Sequence, residues 1–224
     1  MSGKKTALIV GATGLVGRQV LNVLLDYDYY DEIILLGRRS PEVKDNRIRE
    51  VTIDFESLDA HAAEISANDY YCCIGTTMKA AGSEEAFKRV DFTYPLKLGK
   101  MALKDPNFEQ FLLVSSYGAD SKSTLFYNKV KGHLEDELKT LSLKRLHVFQ
   151  PSLLLGYRPD FRFFEELAKI TSNILSFFVI GRSKRFWAIE GHDVAKSMFL
   201  IARQHIDGTH THRPQEMLKI THEH

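Results

Sequence analysis

The sequence predicts a doubly wound α/β fold, and three observations predict it. Short apolar runs of strand length alternate with helix-period segments through about residue 150. The runs are apolar on both faces, the habit of strands in a parallel sheet. The first run ends in a glycine-rich turn, Gly11-Ala-Thr-Gly14-Leu-Val-Gly17, that leads into the first helix.

The elements follow in order. Thr6–Val10 is the first strand, and Leu15, Val16, Val20, Val23 and Leu24 then recur at helical spacing. Residues 32–36, 49–53 and 69–74 read as the second, third and fourth strands. Ser83 to Leu103 reads as a helix, with Ser83 as cap and Glu84 and Glu85 as first-turn acids. Pro95 inside it predicts a kink or a break. Gln110–Val114 is the fifth strand, Leu125–Leu141 a helix, and residues 146–150 the sixth strand, stopped by Pro151. Beyond it, roughly residues 151–190 and the C-terminal tail are expected to form a small cap on the substrate side of the sheet, and Phe161–Phe178 within that stretch has helical spacing. The same stretch also suits core packing, a membrane-surface helix or a partner-binding helix. Residues 191–203 read as a further helix, and Glu216–Ile220 as an added edge strand. With no linker and no repeat, residues 1–224 are expected to form a single domain.

Composition narrows the classes of function. Hydrophobic content of 44% and charged content of 26% are ordinary for a globular chain. A net charge of +1 offers no basic field for nucleic acid. No apolar run reaches the length of a membrane span. The start, Met-Ser-Gly-Lys-Lys, shows no export signal, so a cytoplasmic location is expected. Cys72 and Cys73 are adjacent and point to opposite strand faces, which suits two reduced, buried thiols. Five of the nine histidines fall in the last twenty residues, and they read as a solvated polar tail rather than a metal site.

Two stretches carry chemistry. The GxxGxxG turn lets the backbone approach a pyrophosphate at a helix N-terminus. Tyr127 is the one tyrosine of nine with a lysine four residues on, Lys131, so the two can share a helix face. A neighbouring ammonium favours the phenolate and brings a tyrosine proton toward the useful range. Ser115 and Ser116 close the preceding strand, where a hydroxyl can hold a substrate oxygen. The second strand ends in Arg38-Arg39 with no acid. That suits a 2′-phosphate and points to NADP(H) over NAD(H); a solvated basic turn is the alternative. Asp54 and Phe55, after the third strand, are placed to flank an adenine, although Phe55 also suits the core.

In these residues the chain resembles the short-chain dehydrogenase/reductase superfamily. The carrying motifs are Gly11-x-x-Gly14-x-x-Gly17, Arg38-Arg39, Ile74-Gly75-Thr76, Ser115-Ser116, Tyr127-x-x-x-Lys131, Gln150-Pro151-Ser152 and His192-Asp193-Val194-Ala195. Within the superfamily it is most similar to the atypical group of the HIV Tat-interacting protein of 30 kDa family. That likeness rests on residues 73–77, Arg89-Val-Asp91, Ser115-Ser116-x-Gly118-Ala119-Asp120 and the stretch from Tyr127 to Gly132. The resemblance implies a Rossmann domain, NADP(H) and a reductase site of Tyr127, Lys131 and Ser116, with Ser115 as the fallback serine. It implies a cofactor site of Gly11, Thr13, Gly14, Leu15, Val16, Gly17, Arg38, Arg39, Asp54, Phe55, Ile74, Gly75, Thr76, Ser115 and Lys131, and no metal. Asp91 stands near the position where many relatives carry an asparagine on the fourth helix. The expected function is hydride transfer on a small carbonyl or alcohol. An NADP(H)-binding regulator or scaffold, and a nucleotide-sugar epimerase or dehydratase, are the alternatives. A homodimer or a protein partner is left open.

Overall fold

The structure, a computed structural model, describes residues 4–155 and 188–223. The expected helix over Phe161–Phe178 lies outside the described residues. Seven parallel strands form one sheet: β1 (Thr6–Val10), β2 (Glu32–Gly37), β3 (Ile48–Thr52), β4 (Asp69–Cys72), β5 (Gln110–Val114), β6 (Arg145–Phe149) and β9 (Gly208–His212). Their order is β3-β2-β1-β4-β5-β6-β9. The order reverses between β1 and β4, and the crevice at that switch point is where ligands of open α/β sheets bind. A separate two-stranded ladder pairs β7 (Leu153–Leu155) with β8 (Ala188–Glu190).

The alternation of side chains along each strand builds two cores. Ala7 and Ile9 of β1 face one layer with α1 (Leu15–Asp26) and α6 (Gly191–Ala202); Leu8 and Val10 face the other. That second layer holds α4 (Tyr94–Ala102) and α5 (Phe126–Thr140). Both faces of the central strands are therefore dry, as their apolar runs required, while the edge strands β3 and β9 are largely solvent-facing. No helix among the described residues is long and apolar enough to cross a membrane.

Two elements depart from expectation near the C-terminus. Residues 216–220 are helical rather than an edge strand, within α7 (Pro214–His222). Pro214 presets the first turn, and Pro214, Met217 and Thr221 are buried at helical spacing. The seventh strand is β9, in the stretch expected to be a solvated tail. His212 is buried there, stacked on Phe149 and bonded at 3.1 Å to the buried His147 of β6. Its other ring nitrogen meets Glu216 at 3.0 Å. With Glu216 accepting, His212 donates from Nδ1 and accepts at Nε2 from a neutral His147.

Burial, then the neighbouring His212, pushes His147 down to about 3. As pH falls the unfolded chain takes up this proton first, so the stability from neutral His147 is complete above about pH 6.5 and is lost below it. Urea unfolding should show about 2 kcal/mol less stability at about pH 5 than at about pH 7 from this residue alone. His147→Phe should flatten that slope; an unchanged slope would exclude His147 as its source.

The run from Ser83 to Leu103 is three segments rather than one kinked helix. Ser83 accepts a bond from the Ala86 N–H and caps α3 (Glu84–Lys88). A π turn, Arg89–Thr93, then leads into α4. Pro95 has no N–H for Asp91, and its ring crowds that carbonyl. The Tyr94 N–H instead reaches back five residues to Arg89. This widened turn carries Asp91 into the interior, where it is 1% exposed.

Candidate active site

The site lies at the carboxyl ends of the strands, beginning with the turn after β1. Gly11 has φ +90°, and the Gly14 N–H donates to its carbonyl at 2.9 Å. A Cβ on Gly11 would stand 2.7 Å from the Cys73 carbonyl, and one on Gly17 only 2.1 Å from the Gly11 carbonyl. The turn therefore packs backbone on backbone against the end of β4. Gly14 caps α1 without a side-chain bond, and no acid occupies the first turn. The amides of Leu15, Val16 and Gly17 begin the helix behind the exposed Thr13, a geometry suited to an anion.

Arg38 and Arg39 follow β2, both exposed and without an ion pair among the described residues. Asp54 is exposed and accepts from the Glu56 N–H at 3.1 Å. Phe55 takes the core alternative: its ring is buried and stacks on Tyr94 at 5.1 Å. An adenine on this side would have to do without that ring.

Past β4, Ile74, Gly75 and Thr76 run along the crevice above Asp91. The Asp91 carboxylate accepts from the Thr76 N–H at 2.8 Å and pairs with the Lys131 ammonium, also at 2.8 Å. A Cβ on Gly75 would meet Asp91 Oδ1 at 3.2 Å and Lys131 Nζ at 3.8 Å, so this bare backbone lies over the pair. Burial alone would depress the Lys131 ammonium, but the Asp91 carboxylate and then the Tyr127 phenol override it and hold it above its ordinary value. The Cys72 thiol behind it is pushed up to about 12 by burial, against the pull of Lys131. Burial likewise raises Cys73. Both cysteines are free and protonated at neutral pH.

Helix α5 supplies Tyr127, Lys131 and Glu135, each four residues from the next and so on one face. Tyr127 is 40% exposed, with its ring packed 5.7 Å from that of Phe87. The two serines after β5 have separate duties. Ser115 donates to the buried Glu135 at 2.5 Å, and Gln150 Nε2 donates to both oxygens of the same carboxylate at 2.9 and 3.0 Å. The Ser116 hydroxyl is buried and has no hydrogen-bond partner among the described residues. Buried hydroxyls are nearly always paired, so this orphan makes Ser116 a candidate donor.

Residue spacing gave Asp91 and Gln150 no partner, although both stand in the motifs that carry the resemblance, and it did not single out Glu135. Glu135 was within reach, since it continues the 127–131 spacing by one more turn. Asp91 needed the π turn, which residue spacing does not reveal.

Residues 7–136 match the NAD dependent epimerase/dehydratase family. Protein HTATIP2 of Rattus norvegicus is 37% identical over 169 residues, 74% of this chain and 69% of the rat protein. Protein FMP52, mitochondrial, of Meyerozyma guilliermondii is 35% identical over 170 residues, 74% of this chain and 73% of its own. Protein FMP52-1, mitochondrial, of Scheffersomyces stipitis is 35% identical over 156 residues, 68% and 69% of the two chains. The mitochondrial names of these fungal relatives overturn the expected cytoplasmic location. Among solved structures, MoeE5 in complex with UDP-glucose and NAD superposes with a TM-score of 0.70 at 14% identity, over 98% of this chain and 81% of that one. An oxidoreductase of the short-chain dehydrogenase/reductase family from Burkholderia thailandensis gives 0.66 at 18% identity, over 95% and 91%. At these identities the likeness is one of fold.

Proposed function

Because the chain belongs to the NAD dependent epimerase/dehydratase family, we propose that it is an NADP(H)-dependent oxidoreductase acting on a small carbonyl or alcohol. The observation that carries this reading is the α5 face at the strand ends. It joins an exposed Tyr127 to a buried Lys131, and the Ser116 hydroxyl just past β5 has no partner among the described residues.

The residues fit a nicotinamide dinucleotide. The Gly11–Gly17 turn presents amides without a side-chain cap at the start of α1, suited to a pyrophosphate. Arg38 and Arg39, without an ion pair among the described residues, suit a 2′-phosphate, and the bare Gly75 backbone lies over Lys131 and Asp91, where a ribose would pass. When bound, the dinucleotide supplies or accepts the hydride. Ser116 donates a hydrogen bond to the substrate oxygen. Tyr127 gives that oxygen its proton in reduction and takes it back in oxidation. Lys131 keeps a positive charge one helical turn away, which favours the phenolate that remains.

Fluorescence titration tests the cofactor choice. NADPH should bind at least about 10-fold more tightly than NADH, a margin that one charge-assisted contact supplies. Equal or absent binding would sink the preference. Ser116→Ala should lower kcat about 100-fold, as loss of an oxyanion donor does. It should also leave stability unchanged or raised, because it removes an unpaired buried hydroxyl. Ser115→Ala should instead destabilise, since it takes a donor from buried Glu135. The reverse pattern would exchange the roles of the two serines.

A second reading has its own support. The family description and the UDP-glucose in MoeE5 favour a nucleotide-sugar substrate at this same site. Turnover of UDP-glucose by the chain would select it over a small carbonyl.

A further inference from the structure

The cation at the centre of the site is already matched. Lys131 is 4% exposed, and its ammonium faces the Asp91 carboxylate at 2.8 Å from the π turn. The other groups that face it are the Tyr127 phenol on its own helix and the Cys72 thiol of β4. Lys88 of α3 lies over the Phe126 ring at 5.4 Å, beside the first turn of α5. The second Asp91 oxygen is held by the Thr76 N–H, so the carboxylate cannot turn away from the lysine. An ammonium and a carboxylate in contact act on a more distant group as a dipole, with a weaker field than a lone ammonium.

We propose that Asp91 is a positioning residue that sets the proton affinity of Tyr127: its carboxylate fixes the Lys131 ammonium and offsets part of its charge at the phenol. An asparagine at this position could anchor the Thr76 N–H but would leave the lysine charge whole. The proposal rests on Tyr127 as the group that moves the proton, yet its test requires no substrate.

The test is ultraviolet difference absorbance of tyrosinate on the full chain, with Tyr127→Phe subtracted to isolate Tyr127. Asp91→Asn should move the Tyr127 ionisation about one pH unit toward acid. Lys131→Met should move it a similar distance toward alkali, and the double variant should return it close to the parent. Opposite signs for the two single variants are the mark of charge; a merely structural role would move both alike or neither. An unmoved or alkaline-shifted Tyr127 in Asp91→Asn overturns the proposal. Should Asp91→Asn fail to fold, the double variant decides. A titration near the parent supports the proposal, and an alkaline shift as large as that of Lys131→Met alone overturns it. If these shifts appear but no carbonyl is turned over, the oxidoreductase reading fails and the role of Asp91 stands.

Discussion

Tyr127→Phe should remove turnover while leaving NADPH affinity within about 3-fold of the parent. The phenol oxygen makes no hydrogen bond among the described residues, so its loss breaks none of them. The ring that remains packs on Phe87 as before, and unfolding stability should change by less than about 0.5 kcal/mol. The rate is another matter. A positioned acid–base group contributes about 100- to 10,000-fold, which is about 3–5 kcal/mol of barrier. Stopped-flow oxidation of NADPH with a carbonyl substrate, beside fluorescence titration of the same variant, separates the two effects. If affinity falls together with rate in a folded variant, Tyr127 holds the cofactor rather than the proton.

Gly17→Ala should be the most damaging single methyl in the chain's dinucleotide turn. The new Cβ would sit 2.1 Å from the Gly11 carbonyl, and backbone rather than a yielding side chain receives the clash. Gly11 cannot retreat, since its own position is set by the Cys73 carbonyl and by a φ of +90°. The turn must open, at a cost on the order of 3 kcal/mol or more in stability. NADPH affinity should fall at least about 100-fold, because the amides proposed to meet the pyrophosphate move with the turn. Gly82→Ala is the control. It also has positive φ, at +79°, but nothing lies within 4 Å of the added carbon. It should cost only about 1 kcal/mol, as strain, and leave affinity intact. Urea unfolding and NADPH titration of both variants check the pair; equal damage from the two would show that crowding at Gly17 is not the cause.

The sequence by itself determined the sheet and its ligand edge. Unbroken apolar strands such as Thr6–Val10 and Gln110–Val114 can only be buried on both faces, and that demands helices on each side. Glycines at positions 11, 14 and 17 and the pair Tyr127 and Lys131 were legible for the same reason: their meaning lies in spacing along one strand, turn or helix. The tertiary structure alone decided what crosses between elements. Residues 115 and 116 are both serines, and the carboxylate of Glu135, carried in by α5, commits one hydroxyl and leaves the other without a partner among the described residues. Asp91 meets Lys131 because Pro95 forces a π turn forty residues before the lysine arrives. His212 left the expected tail because an edge of β6 stood open to pair with it. Each of these is a meeting of groups far apart in the chain. Periodicity places a side chain on a face of its own element, whereas the partner it finds is set by how whole elements pack.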